Sequence, residues 1–294
     1  MKKNFEDIII FGSGLSAKTM SLVARNAGLS FKLITDKNNS NVPSDDTRSL
    51  ALSVASKKML NTLGVNIKTE AVTKMIVIEG GLGDEKIKSK LSFDRELVDE
   101  DIAYIAEHSV IEKSIDRVLK LNENEFIKEK VIKIQKEENL SKIILNNNEC
   151  LLSKALIFTE VLDRDLQNIY NVKYNFFEYG QTAISATLRH SKGHKGHAFQ
   201  FFQKNGPLAL LPMINKRGNN YSSLVWTEKT DNISSLISSK KDLEDSLNNL
   251  CSDYLGKISI SKGPSSFVLK KLSGVNAVSN GALFVGDALR AMHP

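Results

Sequence analysis

The first 36 residues carry a short apolar run, a turn with two glycines, a helical pattern and a second apolar run. The first run, Asp7 to Phe11, leads directly into the turn GSGLSA, residues 12–17. The helical pattern AKTMSLVARNAG follows, and the second run extends from Phe31 to Ile34. Short apolar runs of this kind are typical of parallel strands that are buried on both faces. The pattern therefore predicts a strand–helix–strand unit at the start of an α/β fold.

The turn in this unit has the composition of a dinucleotide-binding turn. Gly12 and Gly14 let the backbone approach a pyrophosphate closely, and Ala17 takes the third glycine position, which the motif permits. The N-terminus of the following helix supplies N–H groups and a positive dipole end. Asp36 follows the second strand and is placed to accept hydrogen bonds from ribose hydroxyls. We predict dinucleotide binding here, with a plain structural turn as the alternative.

Two further stretches contain candidate site residues. Residues 43–65, PSDDTRSLALSVASKKMLNTLGV, predict a helix that ends near Gly64, with Arg48 at its entrance. On spacing alone, Arg48 is equally well a solvated residue at a helix start. The last stretch, ALFVGDALRAMHP, is a strand that runs into Gly286 and Asp287. A carboxylate in that position accepts hydrogen bonds from hydroxyl groups, and the glycine lets a ligand approach.

The composition excludes several classes of protein. The 294 residues are 41% hydrophobic and 25% charged, which is ordinary for a globular protein. The net charge of +6 comes from scattered lysines, so we predict no nucleic-acid partner, whereas an anionic ligand or membrane surface is compatible with it. The two cysteines, Cys150 and Cys251, have no metal-like spacing and favour a reducing, cytoplasmic compartment. No apolar stretch approaches the roughly 20 residues of a membrane span.

Three histidines, His190, His194 and His197, lie close together in the sequence. A metal site is one interpretation, but the segment lacks an accompanying acid or cysteine, and we predict no metal. The serines of the N-terminal region have no partnered base, so we also predict no side-chain nucleophile and no other catalytic side chain.

Five segments, in order along the chain, resemble the FAD-dependent aromatic hydroxylases of ubiquinone biosynthesis, which are relatives of para-hydroxybenzoate hydroxylase. The segments are DTRSLALSVASKKMLNTLGV, IAYIAEHSVIEKSIDRVL, YGQTAISATLRHSKGHKGHAFQFFQKNGPLALLPM, SLVWTE and ALFVGDALRAMHP. GPLALLPM is the most specific piece. In this family the second segment, residues 102–119, is a helix with flavin contacts. The resemblance covers essentially the whole chain, and five ordered matches are more specific than any one of them.

The resemblance implies a mixed α/β fold in which a Rossmann-like FAD-binding domain is interleaved with a β-sheet substrate domain. The FAD-binding domain would comprise residues 1–75, 101–165 and 275–294. The substrate domain would comprise residues 76–100 and 166–274.

The resemblance also implies roles for individual residues. Asp287 would accept hydrogen bonds from the ribityl part of FAD near the diphosphate, with Gly286 leaving room for it. Pro294 would lie beside the flavin ring. Arg48 would join Gly12 and Gly14 among the cofactor-binding residues.

Several positions depart from the family pattern. The family has an Asp-Gly pair where this chain has Glu160-Val161, arginines where it has Gln167 and Glu112, and a Glu-Arg pair where it has Gln200-Phe201. The family's ribose-binding residue ends the second strand, a register that gives Thr35 here and places Asp36 one residue late. The family also continues past Pro294 with a glycine-rich turn and a helix. The chain is therefore expected to be either a fragment or a degenerate relative.

The implied function is that of an FAD-dependent monooxygenase, which uses NAD(P)H and O2 to hydroxylate a polyprenylated phenol ring in ubiquinone biosynthesis. Its partners would be a lipophilic phenol substrate, the inner membrane surface as a peripheral contact, and other ubiquinone-biosynthesis proteins in a complex. One alternative is a catalytically impaired, flavoprotein-like subunit that binds a partner hydroxylase or a lipid. Another is a truncated fragment of a longer, active enzyme.

Overall fold

The computed structural model describes residues 4–35, 46–80, 89–97, 99–137, 139–273 and 276–292. Two predicted site residues, Asp36 and Pro294, lie outside these ranges. The chain divides into two compact units. The first unit comprises residues 1–42, 112–178 and 270–294, and the second comprises residues 43–111 and 179–269. The predicted FAD-binding and substrate domains assign a ligand to each set of segments, and this assignment stays a prediction.

The described residues form a mixed α/β structure, as predicted. In chain order the strands are β1 (Asn4–Phe11), β2 (Phe31–Thr35), β3 (Ser49–Leu52), β4 (Glu70–Val72), β5 (Lys74–Glu79), β6 (Ser89–Asp94), β7 (Ala103–Glu107), β8 (Phe126–Lys128), β9 (Val131–Glu137), β10 (Leu140–Leu145), β11 (Cys150–Phe158), β12 (Asn175–His190), β13 (His197–Gln203), β14 (Gly206–Lys216), β15 (Asn219–Lys229), β16 (Ile258–Ser273), β17 (Val278–Ser279) and β18 (Ala282–Phe284). The α-helices are α1 (Leu15–Asn26), α2 (Val54–Thr62), α3 (His108–Leu119), α4 (Arg164–Ile169), α5 (Thr230–Leu236) and α6 (Lys240–Leu255).

The first unit is built on a parallel sheet with the strand order β8-β2-β1-β11-β18. A β9–β10 hairpin continues from β11 in antiparallel fashion. The two central strands carry fully buried side chains, Ile9 and Ile10 on β1 and Leu156 on β11. The apolar runs therefore form strands buried on both faces, as predicted.

Three aromatic rings stack at the carboxyl ends of neighbouring parallel strands in this sheet. Phe11 on β1 stacks on Phe158 on β11 with ring centroids 4.7 Å apart, and Phe158 stacks on Phe284 on β18 at 5.7 Å. Tyr170 packs edge-on against this stack and is fully buried, which raises the pKa of its hydroxyl to about 12. The stack is a rigid apolar base below the loops that follow the three strands.

Helix α1 begins in the turn after β1 and packs against β1 and β2. Its buried face consists of Ala17, Ser21, Leu22 and Ala24. The residue at its N-cap position is Gly14, which has no side chain to accept hydrogen bonds from the first turn of the helix. The sequence therefore produces a helix whose N-terminal N–H groups depend on water or a ligand.

The second unit is built mainly on a seven-stranded sheet with the order β16-β12-β15-β14-β13-β5-β6. Its apolar face packs against α6, whose Leu243, Leu247 and Leu255 are fully buried. Trp226 is buried in this core. A second sheet in the unit has the order β3-β7-β4.

None of the described helices has the length and apolar character needed to cross a membrane.

Two helix predictions were wrong at their first residues. The stretch after Arg48 begins as strand β3, and its helix starts only at Val54, where Ser53 accepts a hydrogen bond from the Ser56 N–H. The segment 102–119 likewise begins as strand β7, and helix α3 starts at His108. β7 pairs with both β3 and β4. Pairing between distant segments overrides a helical pattern that is read along one stretch of sequence.

Candidate cofactor-binding site

The candidate site lies at the carboxyl edge of the parallel sheet in the first unit. There β1 lies between β2, the next strand in the sequence, and β11, which comes more than a hundred residues later. In open α/β sheets, ligands bind outside the carboxyl ends of the strands at such a reversal of strand order. A cleft of about 710 Å³ opens at this edge, and its lining includes Gly12, Ile34 and Phe158. The sequence thus places the glycine turn where the topology predicts a ligand.

Gly12 allows close contact between the turn and the loop after β11. Its φ angle is +134°, and a Cβ atom at this position would lie 2.1 Å from Thr159 Oγ1. Thr159 Oγ1 in turn donates a hydrogen bond to the Phe11 carbonyl, at 2.8 Å. A side chain at position 12 is thus excluded both by the backbone conformation and by the packing.

Gly14 has a different role, because it faces open space. A Cβ atom there would have no described neighbour within 4 Å, and the φ and ψ angles of −82° and −176° are open to any residue. The first turn of α1, LSAK, contains no acid, and no described side chain caps it. Open space before an uncapped helix N-terminus fits the diphosphate of a dinucleotide. Ala17, which the sequence predicts among the cofactor-binding residues, is fully buried in α1, and its cofactor role stays a prediction.

Gly286 and Asp287 meet this same turn from the end of β18. They begin a short 3-10 helix, Gly286–Ala288. A Cβ atom at Gly286 would lie 2.6 Å from Ser16 Oγ, so glycine lets this segment approach the first turn of α1. The Asp287 side chain is exposed, yet surrounding protein desolvates it and the Glu160 charge repels it, and both effects raise its pKa. The structure therefore brings Gly12, Gly14 and Asp287 together.

Glu160 is the residue of the site that sequence reasoning missed. It follows β11, and its Oε1 atom accepts two hydrogen bonds from Ser13, from the backbone N–H at 2.6 Å and from Oγ at 2.9 Å. The sequence showed Glu160 as a departure from the family's Asp-Gly pair, but nothing in it indicated this contact. The signal available was its position, because the ends of β1 and β11 must meet at one edge of the sheet.

Other departures from the family pattern have structural partners. The Gln167 side chain donates to the Leu162 carbonyl at 2.8 Å. Glu112 on α3 binds Lys18 on α1 at 2.9 Å, and Asp116 binds the same lysine at 2.8 Å. Burial opposes the charge on Lys18, but hydrogen bonds with the two acids outweigh it and raise the lysine pKa. Gln167 and Glu112 therefore both bind other residues of the first unit.

Arg48 belongs to the second unit, where a carboxylate holds it. Arg48 Nε and Nη2 donate to the two carboxylate oxygens of Asp46, each at 2.8 Å. The guanidinium lies over the Phe267 ring at 5.8 Å, and His108 Nδ1 lies 3.2 Å from Asp46 Oδ2. The hydrogen bond from Arg48 holds the pKa of Asp46 below its ordinary value. Its role as a cofactor-binding residue stays a prediction.

The histidines of the second unit make structural hydrogen bonds. His190 Nε2 lies 3.0 Å from Ser222 Oγ, and its Nδ1 lies 2.8 Å from the Lys192 carbonyl. His194 Nε2 lies 2.9 Å from the Met213 carbonyl. Burial lowers the pKa of His190, so the fold favours the neutral ring. Among the described residues, no group of His, Cys, Asp and Glu side chains has the arrangement of a metal site.

Comparison with known proteins gives relatives along nearly the whole chain. The ubiquinone hydroxylase UbiL of Rhodospirillum rubrum is 23% identical over 297 residues, which cover 98% of this chain and 67% of UbiL. The ubiquinone biosynthesis monooxygenase COQ6 of Danio rerio is 27% identical over 259 residues, covering 79% of this chain and 51% of COQ6. No protein-family model matches the chain.

Solved structures show the same fold. PqsL of Pseudomonas aeruginosa, described as a probable FAD-dependent monooxygenase, has a TM-score of 0.76 at 12% identity and covers 99% of this chain and 80% of PqsL. HpxO of Klebsiella pneumoniae, solved in complex with FAD, has a TM-score of 0.68 at 9% identity, covering 97% of this chain and 75% of HpxO. The resemblance drawn from the sequence is confirmed: the chain is a homologue of the ubiquinone hydroxylases and has the fold of the FAD-dependent monooxygenases.

Proposed function

We propose that the chain is an FAD-dependent monooxygenase of ubiquinone biosynthesis that hydroxylates a lipophilic phenol ring with NAD(P)H and O2. The observation that carries this proposal is the meeting of the glycine turn and the Gly286-Asp287 segment at the reversal of strand order. The similarity to ubiquinone hydroxylases over 98% of the chain supports the substrate class.

Each part of the site would have a separate task in holding the cofactor. The N–H groups at the start of α1 would bind the diphosphate, because Gly12 and Gly14 keep that approach free of side chains. Asp36 would accept hydrogen bonds from the ribose, and Asp287 would accept them from the ribityl hydroxyls. Arg48 and Pro294 would complete the set of cofactor contacts.

The chain's own groups would contribute binding and orientation to the reaction. FAD, when bound, supplies the redox chemistry that delivers one oxygen atom of O2 to the ring. The sequence offers no side-chain nucleophile, and this reaction class requires none from the protein. The rigid aromatic stack of Phe11, Phe158 and Phe284 would keep the strand ends in place while the cofactor is held.

The test is a stepwise assay on the purified chain. FAD and ADP titrations measure cofactor binding first, through flavin absorbance and calorimetry. NAD(P)H oxidation with and without a polyprenylated phenol, under ¹⁸O2, then measures hydroxylation by mass spectrometry of the product. Labelled product supports the full proposal, and the absence of both ADP and FAD binding would remove its basis.

One contact favours a second candidate, a flavoprotein-like subunit without hydroxylase activity. Glu160 stands where the family has its Asp-Gly pair, and it holds Ser13 by two hydrogen bonds. Such a subunit would bind a partner hydroxylase or a lipid. FAD binding without substrate-linked oxidation, together with stimulation of a partner hydroxylase, would support this candidate over the enzyme.

We also propose that the chain works in the cytoplasm with peripheral contact to an anionic membrane surface. Two aromatic side chains at the start of β12, Phe176 and Phe177, are 61% and 58% exposed, and the exposed lysine Lys271 lies in the same unit. Aromatic rings and lysines suit the interface of an anionic bilayer. Co-sedimentation with anionic and neutral vesicles tests this, and Phe176→Ser with Phe177→Ser should weaken binding to the anionic vesicles.

A further inference from the structure

We infer that Glu160 is an anion built into the nucleotide turn, which competes with the diphosphate of a bound dinucleotide for the positive end of α1. The inference rests on the proposed function, because it assumes that a nucleoside diphosphate binds at this turn. It assigns to Glu160 the task of setting how tightly the site holds phosphate-bearing ligands.

The first argument is the position of the carboxylate. Glu160 Oε1 accepts the Ser13 N–H at 2.6 Å, and it lies 3.2 Å from where a Cβ atom of Gly12 would stand. Ser13 lies between the two glycines of the turn, and its N–H is one of the backbone donors there. A negative charge is therefore fixed inside the turn that the motif reserves for an anionic ligand.

The second argument is that the hydrogen bonds between Ser13 and Glu160 leave the N-terminus of α1 available to a diphosphate. Gly14 has no described neighbour within 4 Å of its Cβ position, and no described side chain caps the first turn of α1. A diphosphate can therefore still reach the N–H groups at the start of α1. The competition is one of charge at the same helix end and does not block the site.

The third argument concerns the charges around Glu160. Asp287 is near enough for the Glu160 charge to contribute to its raised pKa, after the larger effect of desolvation by the surrounding protein. Lys18, in the first turn of α1, is already bound by Glu112 and Asp116. Lys130 and Lys133 line the same cleft, but among the described residues neither forms an ion pair with Glu160, so its charge still acts on a bound diphosphate.

The test is calorimetric titration of the wild-type chain and the Glu160→Gln variant with ADP. Gln keeps the size of the side chain and an acceptor for the Ser13 N–H but removes the charge. We expect Glu160→Gln to bind ADP about five- to tenfold more tightly, the size of effect that one charge has at a helix N-terminus. The gain should shrink as NaCl is raised, because salt screens the repulsion.

Two controls separate charge competition from other effects. Adenosine has no phosphate, so its affinity should be equal in the two proteins. Glu123→Gln makes the same chemical change at an exposed position before β8, at the amino ends of the parallel strands. Its ADP affinity should stay within about twofold of the wild-type value. An independent measurement is the Asp287 pKa by NMR, which should fall in Glu160→Gln.

The outcomes distinguish the inference from the proposed function. Equal or weaker ADP binding by Glu160→Gln, with clear binding by the wild type, would overturn the inference alone. Weaker binding would mean that the carboxylate is needed to hold the turn. No ADP binding by either protein would overturn both the inference and the nucleotide site.

Discussion

The glycine turn in the first unit and the Asp46 cluster in the second unit use polar groups in opposite ways. In the turn, the N–H groups at the start of α1 have no capping side chain, and Gly14 opens onto free space. In the cluster, the Asp46 carboxylate is 6% exposed and binds Arg48 through both oxygens. The first arrangement leaves hydrogen-bond donors available to a ligand, whereas in the second the charged groups bind one another.

This difference shows which properties of a motif residue indicate a function in ligand binding. Glycines in a turn are informative through the space and the donors that they leave. A charged residue near a motif is informative only once its partners are known, because an internal ion pair uses the same groups that a ligand would need. Substitutions at the open position Gly14 should therefore change ligand binding, and substitutions at packed positions such as Gly12 and Asp46 should change stability.

The largest effect is expected for Gly14→Val. The φ and ψ angles at Gly14 suit any residue and the Cβ position is open, so the chain should fold. The branched side chain would stand where the diphosphate approaches the helix N-terminus, and the loss of several charge-assisted hydrogen bonds should weaken ADP binding by roughly a hundredfold or more. Calorimetric titration measures this, with Gly193→Ala in the other unit as the control. Unchanged ADP affinity would mean that the turn is structural.

Gly12→Ala, only two residues from Gly14, should act mainly on stability and not on ligand binding. At Gly12 the φ angle of +134° and the 2.1 Å approach to Thr159 Oγ1 both oppose a side chain. We expect the free energy of unfolding to fall by about 2–4 kcal/mol, from backbone strain and overpacking together. Urea denaturation measures it, and Gly14→Ala is the matched control, with a change well below that of Gly12→Ala. Equal stability of the two variants would contradict the packing argument.

Asp46→Ala tests the cluster in the second unit. The variant leaves Arg48 without its bidentate partner, and we expect a loss of about 1–3 kcal/mol in the free energy of unfolding. The exposed pair of Lys58 and Glu100, at 2.7 Å, is the control, and Glu100→Ala should have little effect because solvent screens it.

The pH dependence of the Asp46→Ala effect has a definite sign. The hydrogen bond from Arg48 lowers the pKa of Asp46 in the folded state below its ordinary value of 3.8. A carboxyl with a depressed pKa contributes full stability above pH 3.8 and loses it as the pH falls through the folded-state pKa. The stability gap between wild type and Asp46→Ala should therefore persist down to pH 3.8 and narrow below it. A gap that widens below pH 3.8 would contradict the assigned ion pair.

The sequence predicted the fold more fully than it predicted the site. The alternation of apolar runs and turns was enough for the βαβ unit, because it depends on local periodicity. It failed at β3 and β7, since their pairing joins segments about fifty residues apart. In the site, Gly12 and Gly14 were visible from their spacing. The Glu160–Ser13 contact was not, because it joins the ends of two strands separated by 147 positions in the sequence.

The smallest effect is expected for Asp287→Asn, and it separates stability from binding within one residue. Desolvation by the surrounding protein and the Glu160 charge raise the pKa of Asp287 above its ordinary value of 3.8. An acid with a raised pKa disfavours the folded state once it is ionised, so the cost is present above the folded-state pKa and absent below pH 3.8. Asp287→Asn should therefore raise the midpoint of thermal unfolding slightly at pH 7 and leave it unchanged near pH 3.

The same variant should bind FAD less tightly than the wild type, because asparagine is a weaker acceptor for ribityl hydroxyls, while ADP affinity should fall little or not at all. Thermal unfolding at the two pH values, followed by parallel FAD and ADP titrations, measures both effects. Lower thermal stability of Asp287→Asn at pH 7 would mean that the carboxylate supports the fold. In that case the turn after β18 would belong with the internally satisfied Asp46 cluster and not with the open turn at Gly14.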